Sequence, residues 1–354
     1  MDTCLKLFCV RCLAIPVVFF MLCLCGCGCD LGASPGGSDR LMVMTYNVQN
    51  LFDAYVTGNE YPEYTPEEGW TTDAYRKRLG RVAQAITQGH AMVPDIVLLQ
   101  EIEHANVLQD LLHEHLSSRG FQWFAATAAK DSAIQVGIIS RFPITDARTH
   151  SVQGNRPVLE CEIDLGSEKL VVFVVHAKSR REGVAETEGQ RIATSGVISR
   201  RTEELLRKHP WRPVLVAGDF NGSADSYLRE GATYQTALVP FDVLKADDYA
   251  RNGSLLVSGG VPPRGIWYTW WLDRSQLLLS HADGSYWYQG IWETFDQILL
   301  SPAFFDSYGL EFHSGQVGVG QHLRDEKGHP NAWNVRTESG YSDHLPVYVV
   351  LTGR

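Results

Sequence analysis

The chain of 354 residues carries a net charge of −10, and 44% of its residues are hydrophobic while 20% are charged. This apolar content excludes a disordered chain, and 32 glycines and 15 prolines scattered without a period exclude a collagen-like or low-complexity protein. The acidic balance argues against a protein that coats DNA non-specifically, but it is compatible with an enzyme that meets a phosphodiester at one site.

The N-terminal segment has the composition of a signal peptide. Seven of the eight cysteines lie in it, namely Cys4, Cys9, Cys12, Cys23, Cys25, Cys27 and Cys29. Lys6 and Arg11 give a positive start, and an apolar run follows at 12–24. This run is about as long as the core of a signal peptide and too short to span a membrane comfortably.

The apolar run ends in Leu24-Cys25-Gly26-Cys27, which resembles a bacterial lipobox. Cys27 is the predicted lipidation site, and Cys29 is the second choice. Acyl chains on this cysteine would anchor an exported, solvent-facing protein in the bacterial cell envelope. The predicted organisation is a lipoprotein signal peptide at 1–26, a flexible tether at 27–40 and a domain at 41–354.

Hydrophobic periodicity predicts strands that alternate with helices along the rest of the chain. Strands are predicted at 41–46, 95–99, 136–140, 170–176, 214–217, 298–301 and 347–351, and helices at 74–88, 106–119 and 188–209. Strands that are almost entirely apolar are buried on both faces, so the alternation predicts a layered α/β domain. Long loops or insertions are predicted at 55–72, 222–290 and 305–340.

Polar residues accompany the predicted strand ends in six short segments. These residues are Asn47, Glu101, His176, Asp219 with Asn221, Asp296, and Asp343 with His344. At the strand ends of a packed sheet, carboxylates can be held rigidly and still be accessible to water. The set is rich in oxygen donors and contains no cysteine, which favours a hard cation such as Mg²⁺ or Mn²⁺.

Seven stretches, taken in this order, resemble the endonuclease/exonuclease/phosphatase superfamily. They are MTYNVQNLFD, PDIVLLQEIE, VGIISRFPI, VVFVVHAKS, LVAGDFN, FDQILLS and YSDHLPV. The superfamily includes DNase I-like nucleases, abasic-site endonucleases, inositol polyphosphate 5-phosphatases and bacterial neutral sphingomyelinases. The resemblance implies a four-layered α/β sandwich, in which two mixed β-sheets pack face to face with helices on the outside. It also implies divalent-metal-dependent hydrolysis of phosphoesters.

The resemblance also implies a metal centre. Glu101 is the first expected ligand of Mg²⁺ or Mn²⁺, with Asn47 supporting it and Asp343 close by. Gln49 stands where many nucleases of the superfamily carry an acidic residue. The number of metal ions, one or two, therefore stays open.

The expected catalytic residues follow from the chemistry together with the resemblance. Asp219 would orient or deprotonate the attacking water, and Asn221 would donate a hydrogen bond to the phosphoryl oxygen or to the nucleophile. His344 would stabilise the transition state as a cation, with Asp296 holding its ring. His176 would act as a second cationic donor or as the proton source for the leaving group.

The substrate is not fixed by the fold, so the rim of the site has to indicate it. Nucleic acid is the first expectation, because Arg141, Arg156, Arg180, Arg181 and Arg191 cluster in sequence near the predicted site-side loops. We expect a monomeric nuclease that also contacts the membrane through its lipid anchor.

Two alternatives remain open at this point. The aromatic residues at 266–272 and 286–288 suit a phospholipid or sphingomyelin phosphodiesterase or a phosphatase, because tryptophan and tyrosine favour the lipid–water interface. The same rings could instead belong to the core or stack on bases. The other alternative is a non-catalytic surface lipoprotein, against which the full polar set argues.

Overall fold

The computed structural model describes residues 40–353. The predicted signal peptide, the lipidation site at Cys27 and nearly all of the predicted tether lie outside the described residues. The first strand begins at Arg40, the last residue of the predicted tether. Within residues 40–353, no helix combines the length and the apolar character that crossing a membrane requires.

Sixteen strands and six α-helices make up the described residues. The strands are β1 (Arg40–Leu51), β2 (Ile96–Ile102), β3 (Trp123–Ala126), β4 (Gln135–Ser140), β5 (Ile144–Val152), β6 (Asn155–Asp164), β7 (Lys169–His176), β8 (Val214–Asp219), β9 (Leu238–Pro240), β10 (Leu255–Ser258), β11 (Trp267–Tyr268), β12 (Tyr286–Tyr288), β13 (Ile291–Glu293), β14 (Asp296–Leu300), β15 (Glu311–Val317) and β16 (Val347–Thr352). The helices are α1 (Thr72–Gln88), α2 (Ala105–Leu111), α3 (Glu188–Lys208), α4 (Ser226–Arg229), α5 (Ala246–Arg251) and α6 (Arg274–Ser280).

The strands form two large mixed sheets and one small hairpin. The six-stranded sheet has the order β15-β16-β1-β2-β4-β3, and the eight-stranded sheet has the order β5-β6-β7-β8-β14-β11-β10-β9. Parallel pairs occur in both sheets, between β1 and β2 and between β7 and β8. The hairpin consists of β12 and β13.

Strand β7 shows why the sheets stack in layers. Its side chains alternate between the two faces of the sheet, as in any strand. Val172 and Val174 join the core cluster that contains the apolar residues of the six-stranded sheet. Phe173 and Val175 join a second cluster that contains Ile198 of α3. One face of the eight-stranded sheet therefore packs against the other sheet, and the opposite face packs against a helix.

Helix α1 covers the six-stranded sheet in the same way. The Thr71 side chain caps its N-terminus by accepting a hydrogen bond from Ala74 N, at 3.2 Å. Its apolar stripe, which includes Leu79, Val82 and Ile86, is buried in the first core cluster. The predicted four-layered α/β sandwich is confirmed.

The helix prediction at 106–119 was wrong in detail, and two of the segments predicted as loops or insertions contain regular elements. The segment predicted as one helix at 106–119 is α-helical only as far as Leu111, and it continues through a π-helical turn and a 3-10 turn to Arg119. The predicted loop at 222–290 contains α4 to α6 and β9 to β12, and the one at 305–340 contains β15. These elements are short or partly polar, so their periodicity is weak.

Candidate active site

The predicted site residues lie at one end of the two stacked sheets, where their strands end. His176, Asp219 and Asp296 lie in register on neighbouring strands, with His176 opposite Asp219 and Asp219 opposite Asp296. In the other sheet, Asn47 pairs with Gln100, the residue before Glu101. The chain order of these residues is scattered, but the strand registers bring them to the same end of the sandwich.

Asn47 joins the two halves of this site. Its side-chain Nδ2 donates to Glu101 Oε1 at 3.1 Å and to Asp219 Oδ2 at 3.1 Å. The ring of His176 lies beside both carboxylates, with Nε2 at 3.7 Å from Glu101 Oε1 and from Asp219 Oδ2. A carboxylate from each sheet therefore faces one small polar volume.

The backbone at these strand ends adopts uncommon conformations. Glu101 has a φ of 63° and Asn221 a φ of 48°, in the left-handed region that few non-glycine residues adopt. Gly218, directly before Asp219, has a φ of 145°, and a Cβ there would lie 1.9 Å from Val175 O. Such strain is held in place by the surrounding structure and concentrates at functional sites.

His344 is held as a cation by a buried acid. Its Nδ1 lies 2.8 Å from Asp296 Oδ2, which also accepts a 2.6 Å hydrogen bond from Ser285 Oγ. Its ring stacks on Tyr286 at 4.6 Å, and its Nε2 lies 3.9 Å from Asp219 Oδ2. Burial opposes the charged ring, but Asp296 raises the pKa of His344 well above the ordinary value.

His176 has the opposite electrostatic character. Burial lowers the pKa of His176 well below the ordinary value, and the positive charges of Arg156 and His344 lower it further. Its Nδ1 is buried without a hydrogen-bond partner among residues 40–353. The lowered pKa favours the neutral imidazole, and the role of His176 as a second cationic donor or as the proton source for the leaving group stays a prediction.

The two central carboxylates have raised pKa values. Burial raises the pKa of Asp219 to about 7, although the nearby His344 cation acts against this. Its Oδ1 accepts a 2.7 Å hydrogen bond from Asn221 N. Burial also raises the pKa of Glu101, and the negative charge of Asp343 raises it further.

This donor set fits a divalent cation. No lysine or arginine of the described residues lies within ion-pair distance of Glu101, whose Oε1 is 3.1 Å from Asn47 Nδ2 and 3.7 Å from His176 Nε2. Glu101 and Asp343 repel each other electrostatically, so a cation between them would relieve that repulsion. Carboxylate and amide oxygens are the ligands that Mg²⁺ and Mn²⁺ prefer.

Gln49 connects the site to the C-terminal part of the chain. Its Oε1 accepts hydrogen bonds from Asp343 N at 2.9 Å and from Trp333 N at 2.7 Å, and its Nε2 donates to Trp333 O at 3.2 Å. The side chain thus links the backbone of Trp333 to that of Asp343. An amide can make this clamp because it donates and accepts at once, whereas a carboxylate cannot donate.

Asn221 is positioned by the strand next to it. One proton of its Nδ2 is donated to Ala177 O at 3.1 Å, which leaves the second proton free. The side chain is buried to about the same extent as Asp219 and His176. It can therefore donate one further hydrogen bond towards the polar volume.

The predicted arginine cluster does not form as a unit. Arg191 is fully buried and binds Glu188, and Arg141 pairs with Asp95 at the opposite end of β2 from Glu101. Arg180 lies over the Phe295 ring and donates to Asn221 O at 2.8 Å. These three guanidinium groups have structural partners and are not available to a substrate backbone.

A polar cleft of about 710 Å³ adjoins the site. Lys130, Arg156 and Lys178 line it, together with the acidic Asp131. Arg156 connects the cleft to the site because it donates to Ala177 O at 3.3 Å and influences the pKa of Glu101. Within the described residues, a cationic rim is therefore present. It is formed by Lys130, Arg156 and Lys178 rather than by most of the predicted arginines.

The aromatic stretches separate into core and rim. Trp267, Tyr268, Trp270 and Trp271 are buried, so the stretch at 266–272 is neither a membrane wedge nor a stacking platform. The β12–β13 hairpin begins at Tyr286 against His344, and its tip exposes Tyr288 and Ile291. This hairpin therefore offers exposed apolar side chains next to the site.

The sequence reasoning missed a polar cluster next to β2. Asp53, Glu103 and His104 have ligand atoms that all lie within 4.8 Å of one another. His104 Nδ1 accepts a hydrogen bond from Asn106 N at 3.2 Å, so the Nε2 proton faces Asp53 Oδ2 at 3.3 Å. This arrangement is a hydrogen-bonded ion pair, because a metal at Nε2 would need the proton on Nδ1 instead. No local spacing signalled it, since Asp53 is 50 residues from Glu103.

Comparison with known sequences assigns the chain to a family. The sequence model described as the Endonuclease/Exonuclease/phosphatase family matches residues 42–235. The chain belongs to this family, whose members typically hydrolyse phosphoesters and generally use a divalent metal. The comparison with curated protein sequences returned no match.

Solved structures share the fold at low sequence identity. Truncated TDP2 from Caenorhabditis elegans is 16% identical, with a TM-score of 0.53 over 89% of this chain and 98% of that one. The endonuclease/exonuclease/phosphatase from Bacteroides vulgatus is 15% identical, with a TM-score of 0.51 over 89% and 99%. TDP2 from D. rerio, complexed with a single-strand DNA product, is 15% identical, with a TM-score of 0.50 over 89% and 100%.

Proposed function

We propose that this chain is a divalent-metal-dependent phosphodiesterase that cleaves nucleic acid at the bacterial cell envelope. The observation that carries the proposal is the Asn47 amide, which holds Glu101 of one sheet and Asp219 of the other 3.1 Å from the same nitrogen. Family membership supports phosphodiester hydrolysis as the reaction class.

Glu101 and Asp343, supported by Asn47, would hold Mg²⁺ or Mn²⁺. When bound, this ion withdraws charge from a non-bridging phosphoryl oxygen. Gln49 keeps Asp343 in place through the hydrogen bond from Asp343 N. The neutral imidazole of His176 completes the wall between Glu101 and Asp219 and donates or accepts one hydrogen bond there.

Asp219 orients the attacking water and accepts its proton. A pKa of about 7 suits this role, because a general base works best when its pKa is near the operating pH. Asn221 N holds Asp219 Oδ1, so that Oδ2 is the oxygen that faces the site. The free proton of Asn221 Nδ2 is available to a phosphoryl oxygen.

His344 places a fixed positive charge next to Asp219. Negative charge accumulates on the phosphoryl oxygens during attack, and a preorganised cation stabilises that charge. Asp296 holds Nδ1, which directs the Nε2–H of His344 into the site. Ser285 and Tyr286 fix the acid and the ring in this arrangement.

A nucleic acid substrate is supported by the cleft beside the site. Lys130, Arg156 and Lys178 could contact the phosphates that flank the cleaved one. The D. rerio TDP2 structure holds a single-strand DNA product, which shows that this fold can accommodate such a strand. Localisation at the envelope rests on the lipobox-like segment that ends at Cys27, and we propose that the anchored enzyme acts as a monomer.

A phospholipid or sphingomyelin phosphodiesterase is the second candidate. The exposed Tyr288 and Ile291 at the hairpin tip favour it, because apolar side chains beside a catalytic site can enter a lipid surface. A non-catalytic binding lipoprotein is the third, and the convergence of the polar set argues against it.

A substrate panel tests the choice. Supercoiled plasmid, single-stranded DNA, RNA, sphingomyelin and inositol phosphates are incubated with the protein, each with and without Mg²⁺. We expect cleavage of nucleic acid that depends on Mg²⁺ and is absent from the Asp219→Asn variant. Cleavage of sphingomyelin alone would favour the lipid candidate, and an inert panel would favour the binding protein.

The lipid anchor has its own test. Cells that express the chain are labelled with a fatty-acid analogue, and the Cys27→Ser and Cys29→Ser variants are compared. We expect the label to disappear only from the Cys27 variant. Label that persists in it would move the anchor to Cys29 or remove the lipobox interpretation.

A further inference from the structure

A second cavity lies at the end of the sandwich away from the candidate active site. It has a volume of about 300 Å³ and lies between the C-terminal half of α3, the start of β10 and the segment 264–267. Ser301, which lines it, is five residues beyond Asp296 of the site along β14. At about 3.3 Å per residue, the cavity is therefore roughly 17 Å from that site.

The floor of this cavity is apolar. Leu206 of α3, Leu255 of β10, Ile266 and Trp267 form it. Trp267 is buried with 6% of its surface exposed, so its indole ring is held firmly. A floor of branched aliphatic groups with one fixed aromatic ring is typical of pockets that hold the apolar part of a small ligand.

The rim is cationic in an acidic protein. Arg207, Arg251 and Arg264 line the cavity, against a single acidic residue, Glu203. Arg251 pairs with Asp248, whereas neither Arg207 nor Arg264 has an ion-pair partner among residues 40–353. A local excess of guanidinium groups beside an apolar floor contrasts with the net charge of −10 for the chain.

Three other polar groups of the lining are already engaged, which leaves the Ser199 hydroxyl and the Glu203 carboxylate without a partner among residues 40–353. Thr202 Oγ1 donates to Ile198 O at 2.9 Å, and Ser254 Oγ donates to Thr236 O at 2.6 Å. Ser301 Oγ accepts from Val214 N at 3.1 Å. The groups that remain for a ligand are therefore mostly guanidinium donors, which select an anion.

We propose that this cavity binds a small aromatic anion, with its ring against the floor near Trp267 and its acidic group between Arg207 and Arg264. The volume of about 300 Å³ is at the lower end of the range for small-molecule sites, which limits the ligand to one or two rings. Guanidinium groups are weakly hydrated and pair well with carboxylate, sulfonate or phosphate groups. The site is independent of the proposed function, because it shares no residue with the candidate active site.

Fluorescence titration tests this proposal with a matched pair of probes. The anionic probe is 8-anilinonaphthalene-1-sulfonate, and the neutral control is N-phenyl-1-naphthylamine, which has the same rings without the sulfonate. We expect the protein to bind one equivalent of the anion, at least about tenfold more tightly than the neutral probe, since one ionic contact of this kind is worth about 1.4 kcal/mol or more. Equal affinity for the two probes would overturn the proposal.

Variants locate the binding. Arg207→Ala/Arg264→Ala should weaken the anion at least about tenfold, while Arg76→Ala, which removes an exposed helix arginine elsewhere, should leave it unchanged. Arg207 and Arg264 are both exposed, so their replacement should preserve folding. Hydrolysis of bis-p-nitrophenyl phosphate at the wild-type rate would show that the double variant is folded. The Asp219→Asn variant should bind the probe like the wild type. If Asp219→Asn lost the binding, or if Arg207→Ala/Arg264→Ala kept it undiminished, the anion would bind elsewhere.

Discussion

Glu160 on β6 and Asp219 on β8 are both buried carboxylates of the eight-stranded sheet, but their surroundings differ. Glu160 accepts hydrogen bonds from Arg201 Nε at 2.7 Å and Arg201 Nη2 at 2.9 Å, and it lies 2.6 Å from His150 Nε2. Burial alone would raise the pKa of Glu160, but these partners lower it to about 2.

Asp219 is buried more deeply, and this burial raises its pKa to about 7. Its hydrogen-bond donors are the neutral amides of Asn47 and Asn221, while the His344 cation is 3.9 Å away and already paired with Asp296. The comparison separates two uses of buried charge. Where partners neutralise a carboxylate, it stabilises the fold, and where they do not, it stays available to a cation, a proton or a substrate.

Metal removal should have the largest effect. After exhaustive chelation with EDTA, we expect hydrolysis of bis-p-nitrophenyl phosphate to stop, and to return when Mg²⁺ or Mn²⁺ is added. The reason is that Glu101 and Asp343 repel each other, and the positive charges of His344 and Arg156 do not cancel the rise in the pKa of Glu101. Initial rates measure the effect, and circular dichroism controls for folding. Undiminished activity in the chelated enzyme would contradict the proposed metal centre.

Substitutions of Asp219 and His344 in the candidate active site should have the second largest effect. Asp219→Ala and His344→Ala should each reduce the rate at least about 10²-fold, the usual scale for a positioned base or an electrostatic group. Glu160→Gln is the matched control, and it should keep nearly the full rate because Glu160 lies among structural partners. Steady-state kinetics give the comparison. A mild loss in both site variants would mean that the reaction occurs elsewhere.

Binding of a metal should also increase the free energy of unfolding. At a Mg²⁺ concentration about 100 times Kd, the wild type should gain about 2.7 kcal/mol in the free energy of unfolding, since the ion binds only the folded site. Glu101→Gln should lose most of this gain, whereas Glu160→Gln should retain it. Denaturant titrations with and without Mg²⁺ measure both. A gain of the same size in all three proteins would place the ion outside the site.

The smallest effect concerns Glu160, whose charge is paired with Arg201 and His150, and this effect depends on pH. Glu160→Gln should reduce the free energy of unfolding by about 2 kcal/mol at pH 7, the scale of hydrogen bonds to a charged group. Because the folded pKa of about 2 lies below the ordinary value of 4.5, this stabilisation is complete above pH 4.5. The difference between variant and wild type should therefore shrink as the pH falls from 4.5 to 2. A difference that does not change with pH would mean that the Glu160 charge is not its source.

The layered fold was predictable because its central strands are buried on both faces. Runs such as the one in β7 are apolar at nearly every position, and no other arrangement hides them as well. The β5–β6 hairpin escaped prediction since β5 alternates irregularly and exposes half of its side chains. Edge strands of this kind have little hydrophobic pattern, and their pairing is decided by tertiary contacts.

The membership of the polar site was predictable from strand-end residues and from the resemblance, but the electrostatics were not. The pairing of His344 with Asp296 was expected from the resemblance, but the sequence could not tell that Nδ1 of His176 has no hydrogen-bond partner among residues 40–353. The clamp between Gln49 and Trp333 joins residues 284 positions apart. Arg191 looked like a substrate contact because its burial follows only from the packed structure.

The place of β16 in the six-stranded sheet affects when the protein can become active. This strand, the last in chain order among residues 40–353, pairs with β1, the first strand of the sandwich. Asp343 and His344 lie just before it, separated from Val347 by two residues. A nascent chain that stops before residue 341 lacks both side chains and leaves one edge of β1 unpaired, so the candidate site cannot assemble until this part of the sandwich has been translated.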